Sequence, residues 1–284
     1  MQTATDNFWD ILSQDEAESA QRVIGELNGI AWAAPLIAGI RENGGIVHAN
    51  KDRLFELRFA YALHQAGIAP RYEVPGEARS TVDFGFHSGG QGWRVELLRL
   101  GETKAVKEAT GSRVGTDGVP SSSRILHSDA DDPKQSVEGE TLKAVERICQ
   151  KADADGRPHK FPIPDGTYNV LLVDFRTFMN GGDAADRLHI GLGAESVTAP
   201  YRMFWENRPI SGVFNTATNL RGAAEMRERV HLLGFVRERN YTPGEFAGVT
   251  QFIANPRLFA HAAAAHAAMT TWPLQPTQLL NGAS

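Results

Sequence analysis

The stretch Ser80–Leu100, with the sequence STVDFGFHSGGQGWRVELLRL, decides the fold. Two runs within it, 80–86 and 93–100, alternate between apolar and polar residues, and this alternation predicts two strands. The Gly89-Gly90 pair between the runs is a favoured centre for a two-residue turn. The stretch therefore predicts an antiparallel β-hairpin.

The register of this hairpin brings two carboxylates together. With the two glycines at the turn, Phe86 faces Trp93, and further along the strands Asp83 faces Glu96. Opposed residues have Cβ atoms roughly 4.5–5.5 Å apart, and like charges at that distance destabilise a sheet. A divalent cation is the simplest reason for the pair, since Mg²⁺ prefers a few carboxylates plus waters. In the alternative, a longer turn shifts the register and both acids face solvent.

A third acid lies on the helix that precedes the hairpin. This helix is predicted from Asn50, a good N-cap residue, to Gln65. Glu56 lies close to its apolar side, which is formed by Phe59, Ala60 and Leu63. A half-buried carboxylate is costly unless it is paired or bound to a metal. The alternative is a structural ion pair of Glu56 with Arg53 or Arg58.

The rest of the chain predicts helices and strands in alternation. Ser13 and Glu16 form the pattern of a capping box at the start of the first helix. The run 169–174 is apolar on both faces, as expected of a central strand. Further helices are predicted at 31–42, 136–154, 219–229 and 257–270, and further strands at 71–74, 210–214 and 230–236. This order predicts an α/β fold with a central mixed β-sheet flanked by helices.

The predicted elements divide the chain into three regions. An N-terminal helical region covers 1–49, a core covers 50–175, and a C-terminal sheet and helix extension covers 176–284. Within the core, 101–134 is rich in Gly, Ser, Thr and mixed charge, which predicts a mobile insertion.

Composition limits the class of protein. The chain has 284 residues, is 42% hydrophobic and carries a net charge of −5, which argues against a strongly basic, non-specific nucleic-acid binder. The charge leaves room for a local metal site, because such a site must itself be acidic. The single cysteine, Cys149, allows no internal disulfide, and we expect a cytoplasmic location. The start of the chain does not predict a signal peptide, and the longest apolar run, 30–40, is too short for a membrane span.

The arrangement of the three acids resembles that of the PD-(D/E)xK, or restriction-endonuclease-like, nuclease superfamily. The matching residues are Glu56 on the leading helix, Asp83 in Ser80–Phe84, and Glu96 in Arg94–Leu98. The resemblance covers residues 50–175. It implies a restriction-endonuclease-like core with N- and C-terminal helical additions. It also implies that Asp83, Glu96 and Glu56 hold Mg²⁺ or Mn²⁺.

The chain departs from the superfamily at its lysine. The superfamily places a lysine two residues after the second acid, where this chain has Leu98, and strand alternation sends Arg99 to the opposite face. Some members supply the lysine from the next helix. Lys143 is then the first candidate and completes a catalytic set with Asp83, Glu96 and Glu56. Other candidates for the missing cation are Lys134, Gln135, Lys104 and Lys107.

The function implied by the resemblance is metal-dependent hydrolysis of phosphodiester bonds in nucleic acid, in the first place DNA. The alternative is a catalytically decayed nuclease-like fold that binds nucleic acid or protein. A third hypothesis is an α/β scaffold in which the acidic pair is incidental. The expected partners are nucleic acid and, in a homodimer, a second copy of the chain, with no membrane.

Overall fold

A mixed β-sheet with helices on both faces forms the body of the protein. The computed structural model describes residues 10–77, 79–102, 110–114, 120–124, 137–152, 160–178, 182–193 and 211–281. Within these ranges the main sheet has seven strands, which confirms the predicted α/β fold. No helix in the described ranges is long and apolar enough to cross a membrane.

The helices and strands alternate along the chain much as the sequence predicts. The helices are α1 (Gln14–Leu27), α2 (Ala34–Glu42), α3 (Lys51–Gln65), α4 (Val137–Ala152), α5 (Ala184–Leu192), α6 (Ala223–Arg229), α7 (Glu245–Gly248) and α8 (Ala262–Met269). The strands are β1 (Arg71–Pro75), β2 (Thr81–Ser88), β3 (Gln91–Arg99), β4 (Thr110–Val114), β5 (Pro120–Arg124), β6 (Thr167–Asp174), β7 (Leu232–Val236), β8 (Thr250–Ala254) and β9 (Gln278–Leu280).

The main sheet has the strand order β1-β2-β3-β6-β7-β8-β9. The first three strands are antiparallel neighbours, whereas β3, β6 and β7 run parallel to one another. Strand β8 is antiparallel to β7 and parallel to the edge strand β9. Strands β4 and β5 form a separate two-stranded sheet, and they lie within the stretch predicted as a mobile insertion.

The predicted register of the β2–β3 hairpin is confirmed. Phe86 pairs with Trp93, and the last pair before the turn is Ser88 with Gln91. Gly89 and Gly90 have φ angles of 57° and 80°, in the left-handed region that other residues rarely adopt. The two-glycine turn thus sets which residues of β2 and β3 face each other.

The sheet is covered by apolar layers on both faces. In β6, Val170 and Leu172 pack with residues of α1, α2 and α3, while Leu171 and Val173 pack with residues of α4, α5 and α6. All four side chains are fully buried. This confirms the prediction that the apolar run is a central strand.

The predictions of helix caps near the N-terminus are confirmed for Ser13 but are wrong for the Glu16 side chain and for Asn50. Ser13 caps α1 by accepting a hydrogen bond from the Glu16 N–H at 3.1 Å, but the Glu16 carboxylate accepts from the Arg58 side chain instead of returning to the cap. Asn50 precedes α3 without capping it. Its side-chain amide donates to the backbone carbonyl of Ile40 in α2 and to those of Asn43 and Gly45 in the following loop.

The C-terminal predictions need one correction. The predicted strand 210–214 is wrong for its described residues, which form turns. The N–H groups of Val213 and Phe214 donate to carbonyls of α5, at Ile190 and Gly191, so they have no sheet partner. The last strands of the sheet, β8 and β9, come instead from segments that the sequence pattern did not single out.

A buried ionic network centred on Arg58 joins the N-terminal helices to the sheet. Its guanidinium donates to Glu16 at 2.9 Å, Asp174 at 2.8 Å and Glu238 at 2.8 Å. All four side chains are at least nine-tenths buried. The pKa of Arg58 is raised because these three carboxylates outweigh the effect of burial, which acts in the opposite direction. Arg176 also contacts Glu16, at 3.2 Å.

Replacing Arg58 by Met leaves three buried carboxylates without their shared cation. Breaking a buried ion pair by removing one partner costs about 3–5 kcal/mol, and we expect a loss of at least this size. The measurement is the free energy of unfolding from urea denaturation. Arg22→Met is the matched control, because Arg22 is 42% exposed and pairs with Glu26 at the surface. We expect the control to lose about 1 kcal/mol or less. Equal losses in the two variants would contradict the role of Arg58.

Candidate functional site

The side chain of Glu96 lies at the centre of the candidate site. It projects from β3 and is fully buried. Its face of β3 is the one covered by α4, since Leu98, two residues on, packs with Val145 and Ile148 of that helix. A buried carboxylate needs partners, because burial without them is costly.

Asp83 and Glu96 contact each other across the hairpin. The Asp83 N–H donates to Glu96 Oε2 at 3.2 Å, and the Leu97 N–H donates to Asp83 Oδ2 at 2.7 Å. The paired positions of β2 and β3 end at Phe84 and Val95, so the side chains take over where the backbone pairing stops. The two carboxylates therefore lie side by side, as the predicted register requires.

Two lysines lie against Glu96. Lys151, in the last turn of α4, has its Nζ 2.8 Å from Glu96 Oε1, and Lys160 forms an ion pair with the same oxygen. Lys151 and Lys160 are partly accessible, with 30% and 22% of their side chains exposed. The cluster therefore combines buried acids with two cations that solvent can reach.

The backbone around Lys160 fixes the position of this lysine. Its N–H donates to the Ala152 carbonyl at the end of α4, at 3.4 Å, and its carbonyl accepts from the Ser80 hydroxyl at 3.1 Å. Ser80 directly precedes β2, the strand that carries Asp83. Lys160 is thus held between the end of α4 and the start of the acidic hairpin.

Glu56 lies beside this cluster on α3. Its Oε2 accepts a hydrogen bond from the Tyr72 hydroxyl of β1 at 2.6 Å. The expected alternative, an ion pair with Arg58, is wrong because Arg58 binds Glu16, Asp174 and Glu238 instead. The positive charge of Arg53 acts to lower the pKa of Glu56, but burial outweighs this effect and the net shift is upward.

The pKa values of Asp83 and Glu56 are both raised. Burial is the largest cause for Asp83, and the negative charges of Glu96 and Glu56 add to it, so the pKa of Asp83 lies well above its usual range despite the two lysines. Burial likewise raises the pKa of Glu56, with a further contribution from Glu96. Burial also raises the pKa of Tyr72, and the charge of Glu56 raises it further.

The negative charges of the same acids also shift the pKa of Lys151. Burial lowers its pKa, but the charges of Glu96 and Asp83 outweigh this effect and raise it. Lys151 therefore stays protonated at neutral pH. The two lysines balance part of the negative charge of the cluster, whereas burial keeps the pKa values of Asp83 and Glu56 raised.

The structure places the predicted residues in two groups. It brings together Asp83, Glu96 and Glu56, whose charges act on one another. Lys143, the predicted cation, lies on α4 and pairs with Glu140 at 2.6 Å. The other residues suggested for this role, Lys104, Lys107, Lys134 and Gln135, lie outside the described residues. The two lysines that do contact Glu96, Lys151 and Lys160, were not predicted from the sequence, although Lys151 lies on the predicted helix 136–154.

The donor set fits a metal held by few protein ligands. Over the described part of the chain, no group of three or more His, Cys, Asp or Glu side chains is arranged to hold a metal ion. Mg²⁺ is commonly bound through one or two carboxylates, with water and substrate oxygens completing its shell. Asp83 and Glu96 suit that role, since they contact each other across the hairpin and lie near the third acid, Glu56.

Comparison with family models, with curated proteins and with solved structures finds no match to the chain. Chemically, the cluster can attract a cation to its acids and present two ammonium groups to an anion. Both abilities follow from the observed contacts and do not depend on similarity to a known protein.

Replacing Asp83 by Asn removes a charge that the folded state disfavours. An acid with a raised folded-state pKa destabilises the fold once it is ionised, so Asp83→Asn should raise the free energy of unfolding. We expect about 1–2 kcal/mol at pH 7 in the presence of EDTA. The gain should shrink as the pH falls toward the ordinary Asp pKa of about 3.9. The measurement is urea denaturation over this pH range.

Asp165→Asn serves as the control with the opposite sign. Arg94 holds the pKa of Asp165 well below its usual range by hydrogen bonding, so the charged form stabilises the fold. This control should lose a little stability at pH 7, and the loss should persist down to the ordinary Asp pKa of about 3.9 and fade only below it. A loss of stability in Asp83→Asn as well would show that Asp83 carries no electrostatic strain.

Proposed function

We propose that this protein hydrolyses phosphodiester bonds of nucleic acid, in the first place DNA, with the help of Mg²⁺ or Mn²⁺. The observation that carries the proposal is the contact of Asp83 and Glu96 with each other and of Glu96 with Lys151 and Lys160. Acids and amines in one half-buried cluster are what a metal-assisted attack on a phosphate requires.

The order of elements around the cluster supports the resemblance to the PD-(D/E)xK nucleases. Helix α3 is followed by the antiparallel strands β1, β2 and β3, and then by α4 and the parallel strand β6. Each part of the cluster comes from this unit or from the link between α4 and β6. The proposal thus has both a residue pattern and a topology behind it.

Asp83 and Glu96 would hold the metal, with Glu56 close by. A bound Mg²⁺ or Mn²⁺ would polarise the phosphate and lower the pKa of an attacking water. The protein itself supplies the rest: Glu56 is held in place by Tyr72, and the hairpin fixes the two ligand acids relative to each other.

Lys151 and Lys160 would take over the role of the missing lysine. An amine near the acids stabilises the negative charge that develops on the phosphate as the bond breaks. Leu98 occupies the position of the usual lysine and packs instead into the apolar layer under α4. Lys151 and Lys160 reach Glu96 from other segments than β3, so the cluster contains cations even though Leu98 stands at the usual lysine position.

The second candidate function is a binding module that has lost catalysis. One observation favours it: two lysines already neutralise Glu96, and an incoming metal must compete with them. In that case the lysines bind phosphate groups and the acids only hold the lysines in place. The two candidates predict different results when metal and substrate are supplied.

The first experiment measures cleavage of supercoiled plasmid and of single-stranded DNA with Mg²⁺, with Mn²⁺ and with EDTA. We expect cleavage only with metal, and Asp83→Ala should reduce the rate by about a hundredfold or more because it removes a metal ligand. Asp165→Ala is the control, since that side chain is 52% exposed and pairs with Arg94.

Absence of cleavage with both metals would overturn the proposal. If the wild-type chain then shifts labelled DNA in a gel, and Asp83→Ala shifts it equally well, the binding module is the better account. Cleavage that survives in Asp83→Ala would point to a contaminating nuclease.

The second experiment compares three lysine variants, Lys151→Met, Lys160→Met and Lys143→Met. The first two should each reduce the rate of cleavage by about a hundredfold, the size seen when one stabilising donor is removed. Lys143→Met, on the same helix as Lys151, should cleave at nearly the wild-type rate because Lys143 pairs with Glu140. The reverse result would return the role to Lys143.

A further inference from the structure

A cleft lies on the opposite side of α3 from Glu56. It has a volume of about 380 Å³ and is bounded by α1, α3, the segment 238–247 and the segment 273–275. The residues that line it include none of the acids or lysines of the nuclease-like cluster. Pockets that bind small molecules commonly have volumes of about 300–1,000 Å³, so the cleft is large enough for a small ligand.

Glu238 gives the cleft its chemical character. Of the described residues lining the cleft, it is the single acid, and it is 6% exposed. One of its oxygens accepts from Arg58 Nε at 2.8 Å. A buried carboxylate with one charged partner can accept a further donor.

The cations lining the cleft are already paired. Arg58 donates to three carboxylates, as described above. Arg22 donates to Glu26 and to the Tyr61 hydroxyl, each at 2.9 Å, and its guanidinium lies 5.2 Å from the centre of the Tyr61 ring. Neither arginine is therefore well placed to attract an anion.

The surroundings of Glu238 leave its charge incompletely balanced. Burial is the main cause that raises the pKa of Glu238 to about 7; the charges of Glu245 and Asp174 act in the same direction, and Arg58 acts against them. Glu245 is itself held by the backbone N–H groups of Arg239 and Asn240. A cation in the cleft would restore the balance.

The other walls suit an apolar body. Phe246 is buried, and Pro273 and Leu274 close the far side. Tyr241 also lines the cleft, and its φ of 54° is a strained conformation for a residue with a side chain. Such strain costs on the order of 1 kcal/mol and is common at binding sites.

We propose that this cleft binds a small organic cation, whose ammonium group pairs with Glu238 and whose apolar part packs against Phe246 and Pro273. This site is separate from the nuclease-like cluster, and the proposal does not rest on the proposed function. Helix α3 forms a wall of both sites, with Glu56 on one side and Arg58 on the other.

The test is isothermal titration of the full chain with phenethylammonium, and with phenethyl alcohol and hydrocinnamate as neutral and anionic analogues. We expect the cation to bind and the two analogues to bind at least about tenfold more weakly, a difference of about 1.4 kcal/mol. Glu238→Gln should weaken the binding of the cation by a similar factor. Glu228→Gln, which removes an acid that is 55% exposed and remote from the cleft, should leave it unchanged.

A second variant keeps the test valid if Glu238→Gln disturbs the Arg58 network. Ala62→Leu adds bulk inside the cleft and retains every charge, and it should also weaken binding about tenfold. Affinity for the cation should rise between about pH 6 and pH 8 as Glu238 ionises. Asp83→Ala should bind phenethylammonium like the wild type.

Three results would overturn the proposal. They are equal binding of all three probes, no binding of phenethylammonium at millimolar concentration, and full affinity in Ala62→Leu. Because none of them involves DNA cleavage, they are distinguishable from a failure of the nuclease proposal.

Discussion

The guanidinium of Arg58 donates to three carboxylates that come from distant parts of the chain. Glu16 begins α1, Asp174 ends the central strand β6, and Glu238 follows β7. In water each of these groups would be hydrated, so burial of the network is favourable only while all its contacts are made. Arg58 therefore fixes the position of α3 against the sheet, and α3 in turn places Glu56 beside Asp83 and one wall of the cleft beside Glu238.

The candidate nuclease site has the opposite energetic character. The pKa of the buried Asp174 is lowered because Arg176 and Arg58 outweigh burial, whereas burial raises the pKa values of Asp83 and Glu56 despite the positive charges beside them. Functional sites commonly keep such destabilising groups at the expense of stability. The hydrogen bonds of Arg58 to Glu16, Asp174 and Glu238 contribute stability that offsets this cost.

The sequence predicted the acids because their placement depends on local structure. The two-glycine turn fixes the register of β2 and β3, and this register brings Asp83 into contact with Glu96 just beyond the last paired residues. The lysines were not predicted because their placement depends on the axial position at which α4 packs on the sheet. Lys143 and Lys151 are eight residues apart on one helix, roughly 12 Å along its axis. Periodicity identifies the apolar side of a helix but not its axial position.

The C-terminal half shows the same limit. Strand β7 has an apolar run that pattern analysis detects, but β9 has only three residues and pairs with β8. Residues 213 and 214 look like part of a strand and instead donate to the carbonyls of α5. In such segments the partner of each backbone group is set by tertiary packing, which the sequence pattern does not record.

The hairpin has a consequence for the order of folding. Asp83 and Glu96 are thirteen residues apart and meet as soon as β2 and β3 pair, whereas Lys151 reaches Glu96 only after α4 has docked. Contacts between near neighbours in sequence form sooner than those that close long loops. The repulsion between the two acids therefore arises before the lysines can relieve it.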